Sequence, residues 1–409
     1  MRLVAAALGA MMLWTPLPAI AQAASGVGRV FPSEKRIVVD PVTRAKLTVL
    51  AESPGGDAKI YQTHPQWAAD GKHIVFRSSK RSADGNGQAF VVSEASGAIV
   101  QLTDGPGVNI GSLNVARLTN QLFYTRRTND RTALIAVDIT AILADAARGK
   151  PRVGGYEQVI ATLPPDYRDS GGFTLDADER TAYFGVNLAE APPRPQGQPV
   201  PQVPGGIRAL DLATGAWRKV IDTDFRMGHV QANPWVPGEI LYCWETGGEA
   251  PQRMFVVKAD GSGNRPLFPE YPNEWVTHEV FIDKDHVMFN LMGHTPALRQ
   301  HATGIMIVNL RDGSVENVGQ TQANRSFWHS DGTSDGRWAV GDDFGGGITL
   351  IDRRNGLRTL LTTGHQMRPD HTHPNFSRDG TRILIQSGML SEGKKLDLMT
   401  VPMPSSTAN

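Results

Sequence analysis

The stretch His64-Pro65-Gln66-Trp67-Ala68-Ala69-Asp70-Gly71 returns near the end of the chain as His373-Pro374-Asn375-Phe376-Ser377-Arg378-Asp379-Gly380. In both places the Asp-Gly turn leads into a β-rich run, His73-Ile74-Val75-Phe76 in the first copy and Ile383-Leu384-Ile385 in the last. A further run follows each, Ala89-Phe90-Val91-Val92 and Leu398-Met399-Thr400-Val401. Five weaker copies lie between, beginning near Ser112, Gly172, His229, His278 and His329. Several close on a β-rich run with a Gly-containing turn, such as Leu210-Asp211-Leu212-Ala213-Thr214-Gly215, which is a hairpin signal. Seven such units at roughly 40–60 residues apiece match the four-stranded blades of a propeller. The expected fold is therefore all-β, a single seven-bladed β-propeller over residues 30–405. Lys46-Leu47-Thr48-Val49-Leu50 precedes the first unit and is expected to close the ring as an outer strand of the last blade. The Pro-rich tract Ala191 to Gly205 reads as a surface loop of the third blade, and amphipathic helical periodicity is weak throughout, with Ile139 to Arg148 the one stretch that stands out.

Around this repeat, composition narrows the function. Lys plus Arg and Asp plus Glu both number 41, so the chain lacks the basic field a non-specific nucleic-acid or polybasic membrane binder needs. Met1 to Ala23 reads as a secretory signal peptide: Arg2, an apolar stretch from Leu3 to Leu17, and small residues at Ala19, Ala21 and Ala23. The expectation is a periplasmic or secreted protein with no membrane contact after cleavage. Its one cysteine, Cys243, lies in the strand-like run Ile240-Leu241-Tyr242-Cys243-Trp244 and is expected to be buried and inert. Phe344-Gly345-Gly346-Gly347 lacks a following Lys-Ser/Thr and reads as a turn between strands rather than a phosphate loop.

Aligning the units on their turns exposes one recurring position. His64, His329 and His373 each stand six residues before the turn Asp, at Asp70, Asp335 and Asp379. His278 fits after a one-residue shortening, His229 falls within two residues of the slot, and the other two units carry Ser112 and Gly172. Equivalent positions of different blades are related by rotation about the axis, so these histidines are expected to converge near one mouth of the channel. The slot is taken to lie just before the innermost strand. His371, two residues before His373, should project to the same side on an extended segment. Imidazole is both the commonest metal ligand and the commonest base near neutral pH, which makes such a cluster a candidate site. His73, His286, His294, His301 and His365 fall outside the slot and receive no role.

At these residues the chain resembles the oligogalacturonate lyases, seven-bladed propeller polysaccharide lyases. The resemblance rests on Gln252-Arg253-Met254-Phe255, Thr277-His278-Glu279-Val280-Phe281, Trp328-His329-Ser330, Val340-Gly341-Asp342-Asp343 and His371-Thr372-His373-Pro374-Asn375-Phe376, in that order. It implies a divalent, manganese-type ion held by His329, His371 and His373, with His278 as the base and Arg253 as an active-site arginine. The implied reaction is β-elimination on an acidic, uronate-containing oligosaccharide. Three departures stand out. Arg368 occupies the position of the family's glutamine ligand, and a guanidinium has no lone pair for a metal. Gln366 is the nearby substitute, or Arg368 grips a substrate carboxylate. A family Cys-His-Glu segment reads Cys243-Trp244-Glu245, and members of the family act mostly without an export signal. His64 and His229 are candidates for lining the substrate pocket. Other readings remain: a non-catalytic TolB-like scaffold for protein binding, and a different sugar-active propeller using Asp342, Asp343 and Glu279 as acid and base.

Overall fold

The structure, a computed structural model, describes residues 26–195, 198–272, 274–292, 303–321 and 326–404. Met1 to Ala23, read above as an expected export signal, and His294 and His301 lie outside the described residues. Seven antiparallel sheets, five of four strands and two of five, follow one another along the chain as the blades of a β-propeller. Runs such as Ile74-Val75-Phe76, Leu241-Tyr242 and Val287-Met288-Phe289 form second strands that are wholly shielded from solvent. They are continuously apolar because both faces of a blade are covered by its neighbours. Leu241 and Met254 of the fourth blade accordingly pack with Val287 and Phe289 of the fifth. The one α-helix among the described residues, Ile139–Ala147, is inserted in the second blade and begins where the Asp138 carboxylate accepts the Ala141 N–H. No helix among the described residues is long and apolar enough to cross a membrane.

The expected ring closure is present and doubled. Lys46–Ala51 pairs with Asp397–Pro402 of the last blade, Thr48 opposite Thr400, and Arg36–Val39 adds a further strand outside it. Val30–Phe31 also adds a fifth strand to the first blade by pairing with Ile99–Gln101. Asp40 ties this seam to the sixth blade. Its carboxylate accepts from the N–H groups of Val42 and Thr43, at 2.7 and 2.9 Å, and from the Thr362 hydroxyl at 2.8 Å. Burial opposes its charge, but the N–H groups of Thr43 and Thr363 and the Thr362 hydroxyl outweigh burial and hold its pKa at about 2 against 3.8 in isolation. A depressed folded pKa means stability that is present above pH 3.8 and drains away as the pH falls toward 2. Asp40→Asn should therefore lose about 2 kcal/mol at pH 7 and much less at pH 2, read from denaturant unfolding at the two pH values. An equal loss at both would contradict the assignment.

One sequence expectation needs correcting. The histidine slot does not precede the innermost strand; it lies at the innermost strand itself, and the run after each Asp-Gly turn is the second strand. Each slot residue stands three positions before a residue that pairs across the hairpin: Trp67 with Ile74, Val115 with Leu122, Leu175 with Ala182, Ala232 with Ile240, Phe281 with Val287, Gly332 with Ala339, and Phe376 with Ile383. His64, Ser112, Gly172, His229, His278, His329 and His373 are thus structurally equivalent. His229 misfits a turn-based alignment only because its hairpin connection is longer, and His278 because its connection is shorter.

Candidate active site

The slot is a bulge. In the third, fourth and fifth blades the pairing of first and second strands shifts register across it, between Asp169 and Phe173, Gly228 and Gln231, and Thr277 and Val280. In the sixth the shift falls just before it, between Phe327 and His329, and His329 itself pairs with Asp342. An extra residue at a bulge turns its side chain away from the sheet, here toward the axis. The backbone records the cost: His229, His278 and His373 hold φ values of 44°, 55° and 47°, in the left-handed region. Such conformations cost about 1–3 kcal/mol each for residues with a Cβ and persist at functional sites. Gly172, at φ 74°, takes the same conformation without that cost, and a side chain there would meet open space.

The imidazoles converge. The His278 ring lies 4.1 Å from that of His329, which lies 3.7 Å from His373 and 5.3 Å from His371. Tyr61 then bridges His373, at 5.4 Å, and His229, at 5.5 Å, and His229 returns to His278 at 6.4 Å. Five rings from the fourth, fifth, sixth, seventh and first blades close a circuit around the axis, and the second and third blades contribute the small Ser112 and Gly172. Trp328 forms a wall beside the circuit, 4.5 Å from His278 and 5.6 Å from His371, with the Phe344 ring tilted against it at 5.1 Å. Phe344 belongs to the hairpin turn expected there, and that turn is part of the site.

Second-strand carboxylates orient the rings. Asp342 lies opposite His329 in the sheet, accepts its backbone N–H at 2.7 Å, and sits 3.2 Å from its Nδ1. Oδ2 of Asp342 also accepts from the Thr372 hydroxyl and the His373 N–H, at 2.8 and 3.2 Å, which fastens the His-x-His segment to the sixth blade. Asp370 lies 3.2 Å from His373 Nε2 and is itself held by Gln386. Burial lowers the pKa of every one of these imidazoles, to about 4 for His329 and well below the ordinary value for His278, where the neighbouring His329 and His229 push the same way. All four rings of the His278, His329, His371 and His373 group are neutral at pH 7, with lone pairs to offer.

Two of the three expected ligands, His329 and His371, fall in one group that could hold a divalent cation, and His373 stands outside that group. His329, Asp342 and His371 bring one ligand atom each within 4.8 Å of one another. The Nδ1 atoms of His371 and His373 are buried without a hydrogen-bond partner. Unpartnered buried nitrogens carry a desolvation penalty that a bound cation would remove. A second cluster, His229, Cys243 and Glu245, has similar spacing, but the Arg253 guanidinium already occupies it, with Nη2 3.2 Å from His229 Nδ1 and 3.6 Å from Glu245. It is a cation's seat already filled.

Arg253 is almost fully buried and bonds Glu279 through Nε at 3.1 Å; Glu279 in turn lies 3.1 Å from His229 Nδ1. Although burial works against its charge, Arg253, with help from His229, holds the Glu279 carboxyl far below the usual carboxylate range. Glu279→Gln would leave the guanidinium buried with its main partner gone, and should cost about 3–5 kcal/mol in denaturant unfolding. A loss under about 1 kcal/mol would show the pair to be dispensable. The three carboxylates of the acid–base alternative are each hydrogen-bonded within the protein: Glu279 to Arg253, Asp343 to the N–H groups of Gly345 and Gly347, and Asp342 to the His329 N–H and the Thr372 hydroxyl.

The remaining expected site residues stand further out. His64 occupies its slot with Nδ1 3.4 Å from Thr63 Oγ1, outside the ring circuit, and burial lowers its pKa to about 4. Arg368 is exposed and its side chain bonds nothing among the described residues, and Gln366 is exposed beside Gly393. The expected Pro-rich loop joins Thr181–Asn187 to Gly205–Asp211 and helps enclose a cavity of about 330 Å³ lined by Arg194, Arg226 and Glu245, just outside Arg253. Sequence reasoning missed Tyr61, three residues ahead of His64, and the orienting role of Asp342. Reflection of His329 through the Asp335-Gly336 turn lands on Asp342, so that signal was present.

A seven-bladed propeller whose axial mouth is ringed by histidines and a tyrosine is what fold and site together define. Two solved structures share this architecture along nearly their whole length. An oligogalacturonate lyase in complex with manganese superposes with a TM-score of 0.75 at 18% identity, covering 93% of this chain and 99% of that one. An oligogalacturonate lyase from Vibrio parahaemolyticus gives a TM-score of 0.77 at 20% identity, with the same coverage of 93% and 99%. The WD40 repeats of RRP9 follow at a TM-score of 0.55 and 10% identity, covering 90% of this chain and 100% of that one. No protein-family profile and no curated protein sequence matches the chain. The chain has the fold of the oligogalacturonate lyases.

Proposed function

We propose that this protein is a lyase that cleaves uronate-containing oligosaccharides, of the oligogalacturonate kind, by metal-assisted β-elimination. The observation that carries the reading is the meeting of His278 with His329, His371 and His373 on the axis, the last two with unpartnered buried nitrogens. The fold neighbours add support, since one of them is a lyase in complex with manganese. His329, His371 and His373 would hold the ion, which when bound supplies a Lewis acid to the uronate carboxylate and makes the adjacent C5 proton removable.

The chain's own residues do the rest. Nδ1 of His278 lies 3.2 Å from the Thr277 hydroxyl, and in the tautomer whose Nδ1–H donates to that oxygen Nε2 is the base for the C5 proton. Trp328 and Phe344 offer an apolar wall to a sugar face and limit water around the base. Arg253 acts as a positioning residue that holds His229 and Glu279 in place. The outer cavity with Arg194 and Arg226 would receive the carboxylate of a further uronate, and exposed Arg368 would meet substrate at the rim. With Met1 to Ala23 as an export signal, the enzyme would work in the periplasm or outside the cell.

Incubation with trigalacturonate and manganese tests the reading, and should build up the ultraviolet absorbance of a 4,5-unsaturated uronate. Reducing ends appearing without that absorbance would mean hydrolysis, and no reaction across a panel of uronates would remove the lyase reading.

A further inference from the structure

Tyr61 is the one ring of the circuit that is not an imidazole, and its hydroxyl is the unexplained group of the site. The chain has seven tyrosines. Tyr124, Tyr156, Tyr167, Tyr183 and Tyr242 donate their hydroxyls to Glu157, Asp145, Asp169, Asp176 and Asn264. Tyr271 lies out on the surface, 70% exposed. Tyr61 is packed against His229 and His373, yet its hydroxyl bonds nothing among the described residues. Tyr61 is half-buried and its hydroxyl is not among the buried unpartnered atoms, so at the mouth of the site it is free to donate to an acceptor that a ligand brings. The loop that carries it is fixed from behind: its carbonyl accepts the His64 N–H and the Gln66 amide, both at 3.0 Å.

Position in the circuit indicates what that acceptor is. Tyr61 and His278 are not neighbours in the ring of rings; His229 separates them on one side, His329 and His373 on the other. They face each other across the mouth, one from the first blade and one from the fifth. In a galacturonate ring the C5 hydrogen and the C4 oxygen are trans-diaxial and depart from opposite faces. A base on one wall therefore requires the proton donor on the opposite wall, and the only uncommitted O–H among the rings of the circuit is there.

Resting on the lyase reading above, we propose that Tyr61 is the general acid that protonates the departing O4. Nε2 of His278 takes the C5 proton, and the C5–H electron pair becomes the C4–C5 double bond. The C4–O4 bond breaks with its pair on oxygen, and that oxygen receives the Tyr61 proton. The resulting imidazolium and phenolate return to their starting forms by proton exchange with water, so no other reactant is needed. The separation of roles, base and acid on different blades, also explains why the first blade carries an aromatic residue into the circuit beside its slot histidine.

The experiment compares Tyr61→Phe with the wild type, both loaded with manganese, on two substrates. One is trigalacturonate, whose leaving group is a sugar alkoxide. The other is a galacturonide carrying 4-nitrophenolate at C4, which leaves without a proton. The variant should lose about 10²–10³-fold in kcat on trigalacturonate with KM changed less than about threefold, and keep the nitrophenolate rate within about threefold of wild type. Its melting temperature should match the wild type, because the ring that packs on His229 and His373 is retained. Full activity on trigalacturonate, or equal losses on both substrates, would overturn the assignment while leaving the lyase reading intact. A wild type inactive on both would overturn the lyase reading and this acid with it.

Discussion

Replacing His278 by alanine is expected to lower kcat on oligogalacturonate by about 10³-fold, with KM and metal content close to wild type. The expectation rests on what fixes the ring. A bulged, left-handed backbone at φ 55° turns it to the axis, and Trp328 and His329 hold it at 4.5 and 4.1 Å. Burial, reinforced by two neighbouring imidazoles, keeps it unprotonated, so its lone pair is ready without a change of state. The imidazoles beside it are engaged elsewhere, since His329 faces Asp342 and His229 is bonded to Glu279 and Arg253. Alanine removes the base without opening the ligand set, so a loss confined to kcat separates proton abstraction from metal binding. A variant within about threefold of wild type would assign the proton to another group.

The second large effect is expected at His329. His329→Ala should bind manganese at least about 100-fold more weakly and lose about 10³-fold or more in activity at micromolar metal. Chelated wild type should show a comparable loss and recover when manganese is returned, whereas the variant should not recover at the same concentration. His329 is the hub of the cluster, with His371 and His373 rings at 5.3 and 3.7 Å and Asp342 behind it. Its removal takes away a ligand and also loosens the carboxylate that tethers Thr372 and His373. Titration calorimetry and elemental analysis read the first effect, and steady-state rates read the second. Undiminished metal affinity in the variant would mean that the ion sits elsewhere.

Much of the fold lies open in the sequence because an Asp-Gly turn before a β-rich run marks the first hairpin of the first, sixth and seventh blades, and weaker turns at the same spacing mark the rest. The same register yields the axial slot, since rotation about the propeller axis superposes positions that are far apart along the chain. What alignment to turns cannot give is the bulge. It lies on the inner strand, and hairpin connections of unequal length, longer after His229 and shorter after His278, blur the spacing that turn-counting relies on. Tyr61 escapes because it sits in the connection before the slot, outside the repeated pattern. Asp342 escapes because finding it takes a reflection of His329 through the Asp335-Gly336 turn, a pairing step that counting positions from the turn omits. Residue type alone makes Arg253 a free cation over substrate, whereas its partner Glu279 stands next to His278 in sequence and neutralises much of its charge. Three-dimensional pairing, rather than residue type, decides each of these.

Diffraction from manganese-soaked crystals, collected at an energy where manganese scatters anomalously, puts the shared-cation claim to its plainest trial. One strong peak within bonding distance of nitrogens of His329, His371 and His373, with His278 beside it and unligated, is the predicted result. Density at the His229–Cys243–Glu245 cluster instead, or none at the axis in crystals that contain the ion, would contradict it.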